Sequence, residues 1–143
     1  MADNRRREEE ILRIAKTRLY GGGPAAMNME RIASKAGISK KTLYELFASK
    51  EAVVATIVER ELSRLSVEVS QMLADGRSIS PKEIGRVILL LWEAYGRLGE
   101  GVLDDLRRRM PGQWAKIEEW WTSHLQPKMV TAVSDAMESG VIQ

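Results

Sequence analysis

The sequence predicts an all-α protein, and three observations carry that prediction. Apolar residues recur at steps of 3 and 4 nearly throughout, the helical period. No stretch alternates at period 2, so no strand pattern emerges. Start and stop signals also recur at helical lengths: Gly21-Gly22-Gly23-Pro24, Gly37, Asp75-Gly76, Ser80-Pro81-Lys82-Glu83, and Gly99 with Gly101.

The first helix is expected from about Arg6 to Tyr20, with Ile11, Ala15 and Leu19 on one face, ended by the glycine run and Pro24. The second runs from Met29 to Ala36 with Asn28 placed to cap it, and Gly37 follows where a left-handed turn residue is wanted. A short third helix spans Lys40 to Phe47 under a Ser39 cap. The fourth is long, Lys50 to Ala74, with an apolar stripe of Val54, Val58, Leu62, Leu65, Val69 and Met72. Ser80 caps a fifth helix, with Pro81 at its first position and Glu83 completing a capping box. Its expected core face is Ile84, Ile88, Leu91, Tyr95 and Leu98. A short sixth helix runs from Val102 to Met110. A seventh opens at Pro111 and reaches Ser139, with a kink expected at Pro127. This organisation divides the chain into a three-helix module, residues 1–48, linked by the long fourth helix to a second helical module, residues 49–143.

Composition excludes several classes. There is no cysteine, which rules out disulfides, zinc fingers and thiol catalysis. The longest apolar run, Val87 to Trp92, is far too short to cross a bilayer, and the N-terminus has no apolar signal core, so a cytoplasmic location is expected. The single histidine, His124, has no triad or metal companion in the sequence, and nothing points to catalysis, a metal or a cofactor. The net charge of +2 conceals a division. Residues 1–50 hold 11 Lys and Arg against 6 Asp and Glu, a net +5, while residues 51–143 carry −3. The basic part is the natural partner for a polyanion.

The informative stretch is Met29 to Lys50. Two short helices that cross closely need a small residue at the crossing, which Ala33 supplies, and a reversal four residues later, which Gly37 permits. Ile32, Ile38, Leu43 and Leu46 can then share a core with the first helix. Lys40, Lys41, Thr42, Tyr44 and Glu45 remain outside. This is the helix-turn-helix layout, whose second helix enters the major groove of DNA. Lysine suits a phosphate or a guanine edge, Thr offers a hydroxyl and a methyl, and the Tyr hydroxyl reaches a phosphate.

These residues resemble the TetR family of regulators. The resemblance rests on Ile11-Leu12-Arg13-Ile14-Ala15, on Ile32 to Phe47 with Ile38 where the pattern has Val, and on Ser49-Lys50-Glu51. It implies a dimeric repressor that a ligand, bound among the later helices, releases from an operator. It implies phosphate contacts by Tyr44 and Lys50, base reading around Lys40, Lys41 and Thr42, and a phosphate-binding cap at Asn28 where the family usually has Thr. With Ser39 at the start of the third helix, the expected DNA-binding set is Asn28, Ser39, Lys40, Lys41, Thr42, Tyr44 and Lys50. Arg5, Arg6 and Arg7 lie at a terminus that could brush a phosphate or stay solvated.

The second module concentrates large side chains. Trp92, Tyr95, Trp114 and Trp121 are the expected lining for a small apolar or aromatic effector, although a plain core would use the same residue types. Adjacent Trp120 and Trp121 point about 100° apart on a helix, so both cannot face one core. Pro111-Gly112-Gln113-Trp114-Ala115-Lys116-Ile117 and Gly140-Val141-Ile142-Gln143 resemble the start and end of the family's seventh helix. In those relatives two further helices build the dimer's four-helix bundle, and the sequence ends before them. Exposed apolar residues are therefore expected along the seventh helix at Trp120, Leu125, Met129, Val133, Ala136 and Met137. A ligand-responsive repressor acting as a homodimer on double-stranded DNA is the leading expectation. The alternative is a truncated interaction protein of the same fold that acts by mixed dimerisation.

Overall fold

The structure, a computed structural model, describes residues 1–73 and 79–140. No strand occurs among them. The expected Asp75-Gly76 stop, Ala74 and the Val141-Ile142-Gln143 end lie outside the described residues.

Helix α1 spans Ala2–Gly22, four residues earlier than its apolar face requires. Asp3 in its first turn complements the helix dipole and pairs with Arg7 one turn on at 2.8 Å, so polar residues extend the helix beyond its buried stretch. Gly23, at φ 73°, closes it with an N–H donated to the Leu19 carbonyl. A single 3-10 turn, Pro24–Ala26, leads into α2, Met29–Lys35, and α3, Lys40–Leu46. Helix α4 covers Lys50–Met72 and α5 covers Pro81–Gly96. The Ser80 N–H donates to the Glu83 carboxylate at 2.8 Å, one half of the expected capping box. Helix α6 is Val102–Arg109, opened by Gly101 in the left-handed conformation at φ 76°.

The expected seventh helix is interrupted. Helix α7 is Pro111–Trp120, a π-helical turn follows over Trp121–Leu125, and α8 is Gln126–Glu138. Pro127 explains the position of the break. Its ring crowds the carbonyl four residues back and it has no N–H to donate, so the turn before it widens.

The described residues pack as two compact units. The first joins Met1–Glu59 with Leu98–Trp114, and the second joins Arg60–Arg97 with the chain from Ala115 on. These packing units do not follow the division at residue 48: α6 folds with the N-terminal helices, and α4 begins in one unit and ends in the other.

In the second unit, Leu65 and Val69 from α4, Val87 and Leu90 from α5, and Leu125 form one buried cluster. Ile84, Ala132 and Ala136 form another. The α4 stripe lies as the sequence predicts, with Leu62 and Met72 half-buried at its edges. The α5 face does not. Ile84, Val87 and Leu90 are buried, whereas Ile88 is 57% exposed and Tyr95 60%. Residues 87 to 92 are apolar on every side of the helix, so spacing alone could not choose the face, and packing against α4, Leu125 and α8 chose it.

The α8 expectation needs a similar correction. Leu125 and Ala136 are fully buried, and Trp120 and Met129 are half-buried. The apolar residues left outside are Trp121, Val130, Val133 and Met137. The Trp120–Trp121 pair divides as its geometry demands. The Trp120 indole N–H donates to Ser66 Oγ on α4 at 2.7 Å, and Trp121 faces out.

Candidate nucleic-acid interface

The helix pair is held from below. Ile32 and Leu43 are 1% and 0% exposed, and Ala33 is buried at the crossing. The turn between α2 and α3 is closed by Gly37 N–H to the Ser34 carbonyl and Ile38 N–H to the Ala33 carbonyl, with Gly37 at φ 69° as its reversal requires. Ile38 and Leu46, expected in the same core, are only half-buried at its rim. Both caps form as expected. Asn28 Oδ1 accepts the Arg31 N–H, and Ser39 Oγ accepts the Thr42 N–H, each at 3.0 Å.

The outward face of α3 divides into engaged and open groups. Ser39 and Thr42 share a hydroxyl–hydroxyl hydrogen bond of 2.9 Å, which turns both side chains toward the helix start. Lys40 donates to Glu30 on α2 at 2.7 Å. That contact holds the Glu30 carboxyl below its ordinary range and raises the Lys40 ammonium above its own. Lys41 is exposed and Tyr44 is 42% exposed. Lys50 is half-buried at the first position of α4, whose start is capped by Ser49 Oγ accepting the Ala52 N–H. The exposed groups of the expected set that stand outside these contacts are thus Lys41 and Tyr44. Glu30 and Ser49 are participants that sequence reasoning missed. Glu30 lies ten residues from Lys40, and only the crossing angle of two helices brings them together. Ser49, one residue before a helix, was legible as a cap.

The expected effector residues stand differently. Trp92 is 71% exposed beside Tyr95, with ring centroids 6.3 Å apart, and Trp121 is 51% exposed. Rings so exposed form surface in the second unit, not the lining of an enclosed cavity. Trp114 is half-buried and belongs to the first unit. Their positions follow from the rotated α5 face and the outward half of the Trp120–Trp121 pair.

The first unit has a further anchor that the sequence did not suggest. The Gly99 N–H donates to the Tyr20 carbonyl at 2.6 Å, tying the entry of α6 to the end of α1. Asp105 on α6 accepts the Ala25 N–H at 3.1 Å through one oxygen and Arg109 Nε at 2.6 Å through the other. Arg109 foremost, with the Ala25 N–H, holds the Asp105 carboxyl below its ordinary range. A depressed carboxylate pKa contributes stability that is present above the unfolded-state value and lost as pH falls through the folded one. Thermal unfolding should therefore show the wild type losing more stability than Asp105→Asn on acidification below about pH 4, the unperturbed Asp range. Parallel acid limbs for the two proteins would remove Asp105 from this role.

A short, capped α2–α3 pair with a glycine-reversed turn, seated on α1, defines this as a helix-turn-helix protein of the all-α class. Comparison with known proteins agrees. Residues 11–57 match the family described as bacterial regulatory proteins, tetR family. An uncharacterized HTH-type transcriptional regulator of Mycobacterium tuberculosis is 39% identical over 67 residues, 47% of this chain and 33% of that protein. One from Bacillus subtilis is 24% identical over 101 residues, 66% of this chain and 53% of its own length. The chain thus spans between a third and about half of the length of these relatives. The crystal structure of a protein described as a TetR-family transcriptional regulator from Mesorhizobium loti superposes with a TM-score of 0.67 at 23% identity, covering 98% of this chain and 72% of that one, a likeness of fold. Residues 11–57 are thus similar to the tetR family of bacterial regulatory proteins, and the fold is like that of the Mesorhizobium loti protein.

Proposed function

We propose that the chain is a ligand-responsive transcriptional repressor that binds operator DNA through α3 as a homodimer. Residues 1–48 serve as the DNA-binding domain and residues 49–143 as the effector and dimerisation domain. The observation that carries this reading is the outer face of α3, where Lys41 and Tyr44 stand open above fully buried Leu43. In this reading Tyr44 and Lys50 position the duplex through phosphates. Lys41, with Lys40 once released from Glu30, reads bases beside Thr42. Asn28 and Ser39 order the two helix starts that meet the backbone. A small apolar or aromatic effector acts on the second unit, where Trp92, Tyr95 and Trp121 supply aromatic surface.

Duplex binding measured against salt tests the reading. Several phosphate contacts make affinity fall by orders of magnitude between about 50 and 200 mM salt. Tyr44→Phe is expected to weaken binding to unrelated duplexes equally, whereas Lys41→Ala shifts the sequences selected from random DNA. A flat salt response would sink the proposal.

A second reading, an interaction protein that works by mixed dimerisation, is favoured by the apolar surface on α5. Ile88, Leu89, Trp92 and Tyr95 all stand exposed there, more apolar surface than a free helix face usually shows. The two readings part on DNA. The interaction protein gives no salt-dependent duplex binding on its own and gains it only with a partner.

A further inference from the structure

The charge of the N-terminal helices has one concentration that lies off the α3 face. Between α1 and α2 runs a groove with Ile14 and Ile32 among its lining, and the charged residues on it are Arg18, Arg31 and Lys35. No carboxylate lines it. The spacing explains the convergence. Arg18 is one helical turn beyond Ile14 on α1, and Arg31 and Lys35 are one turn apart on α2, so each cation borders a residue that packs inward.

None of the three is in an ion pair among the described residues. Glu10 feels the charge of Lys35, but Arg13 clasps that carboxylate with two hydrogen bonds of 3.0 and 2.6 Å and dominates its environment. Asn28 also borders the groove. Its Oδ1 is occupied by the Arg31 N–H, which leaves its amide N–H donors for a visitor. The space at the base is about 20 Å³, enough for a single water-sized oxygen.

Three like charges around one concavity repel one another unless a counter-anion sits among them. Two guanidinium forks approaching from different helices, an ammonium and an amide donor match a group with several oxygens and more than one negative charge. The room admits one oxygen and leaves the remainder of the ligand outside. We propose that this groove is a phosphate-oxyanion site, gripped by Arg18 and Arg31 with Lys35 and Asn28 completing the donor set. The phosphate comes from the backbone of a bound duplex or from a free phosphorylated small molecule. The first source rests on the DNA-binding reading above, and the second does not.

The test uses the full chain and two probes. Inorganic phosphate is titrated at ionic strength matched with chloride, following the arginine Nε–H signals by NMR. A short duplex of random sequence is titrated in parallel by fluorescence anisotropy. Saturable shifts are expected at Arg18 and Arg31. A hydrogen bond to a charged group is worth enough that Arg31→Gln should weaken phosphate binding by about tenfold. Arg86→Gln, an exposed arginine on α5 in the second unit, should leave it unchanged.

If the Arg18→Gln, Arg31→Gln, Lys35→Gln triple variant also loses duplex affinity well beyond the Arg86→Gln control, the site serves the DNA backbone. If phosphate binding falls and duplex affinity does not, the site serves a free phosphorylated ligand. If no signal responds to phosphate while the duplex still binds and Tyr44→Phe weakens it, the groove proposal is overturned and the DNA reading stands. If phosphate binds and no duplex does, the DNA reading fails and the groove survives.

Discussion

Gly99→Ala is expected to cost the protein about 3 kcal/mol, the upper range for forcing a methyl into filled space. A Cβ at residue 99 would lie 2.5 Å from the Gly21 carbonyl oxygen and 3.2 Å from that of Tyr20. Both are backbone atoms at the end of α1, so no side chain can swing away. The chain must move, and the 2.6 Å hydrogen bond from Gly99 to Tyr20 goes with it. The midpoint of thermal unfolding should fall by about 10 °C for a protein of this size. Gly85→Ala supplies the opposite sign. Nothing lies within 4 Å of a Cβ there, and the residue sits inside α5. Alanine at that point should stabilise by about 0.5–1 kcal/mol through the lost freedom of the unfolded chain. An unchanged midpoint for Gly99→Ala would mean that α6 is not anchored to α1 through this contact.

Leu43→Ala should have an effect of similar size, seen in the helix-turn-helix itself. Leu43 is the fully buried residue of α3 and sits between residues that face outward. A seven-residue helix has almost no stability of its own in water, so tertiary packing must hold it. Truncation to alanine removes that packing and leaves a cavity, at about 3 kcal/mol. Hydrogen exchange should then report the amides of α3 opening far more often, and duplex affinity should fall although no outward side chain has changed. Tyr44→Phe is the matched control, with weaker duplex binding and unaltered exchange. Protected α3 amides in Leu43→Ala would show that the helix is held by something other than this side chain.

Much of the candidate interface was legible because its signals are local. Asn28 and Ser39 cap helices that begin one residue later, and Gly37 reverses the chain where a Cβ would strain it. Such contacts span three or four residues, so the spacing of residue types encodes them directly. The α4 stripe was legible for a related reason: one face is apolar and the opposite face is polar, so a single orientation hides the apolar side.

The α5 face was not legible, because residues 87 to 92 offer apolar side chains all round. Either Val87 or Ile88 could face inward, and the neighbouring helices decided for Val87. Nor did spacing reveal that Trp92 and Tyr95 would stand outside, since that follows from the same rotation. The Glu30–Lys40 pair, the Asp105–Ala25 hydrogen bond and the Gly99–Tyr20 contact join residues 10, 80 and 79 positions apart. By itself the sequence determined the all-α class, the helix-turn-helix with its caps and turn, and the resemblance of residues 11–57 to the tetR family. These depend on interactions within a turn or two of helix. Which side of α5 is buried, which cations of the N-terminal helices are paired, and the docking of α6 on α1 were decided only by tertiary structure. Those choices are made where separate helices meet, and nothing in the local order of residues describes that meeting.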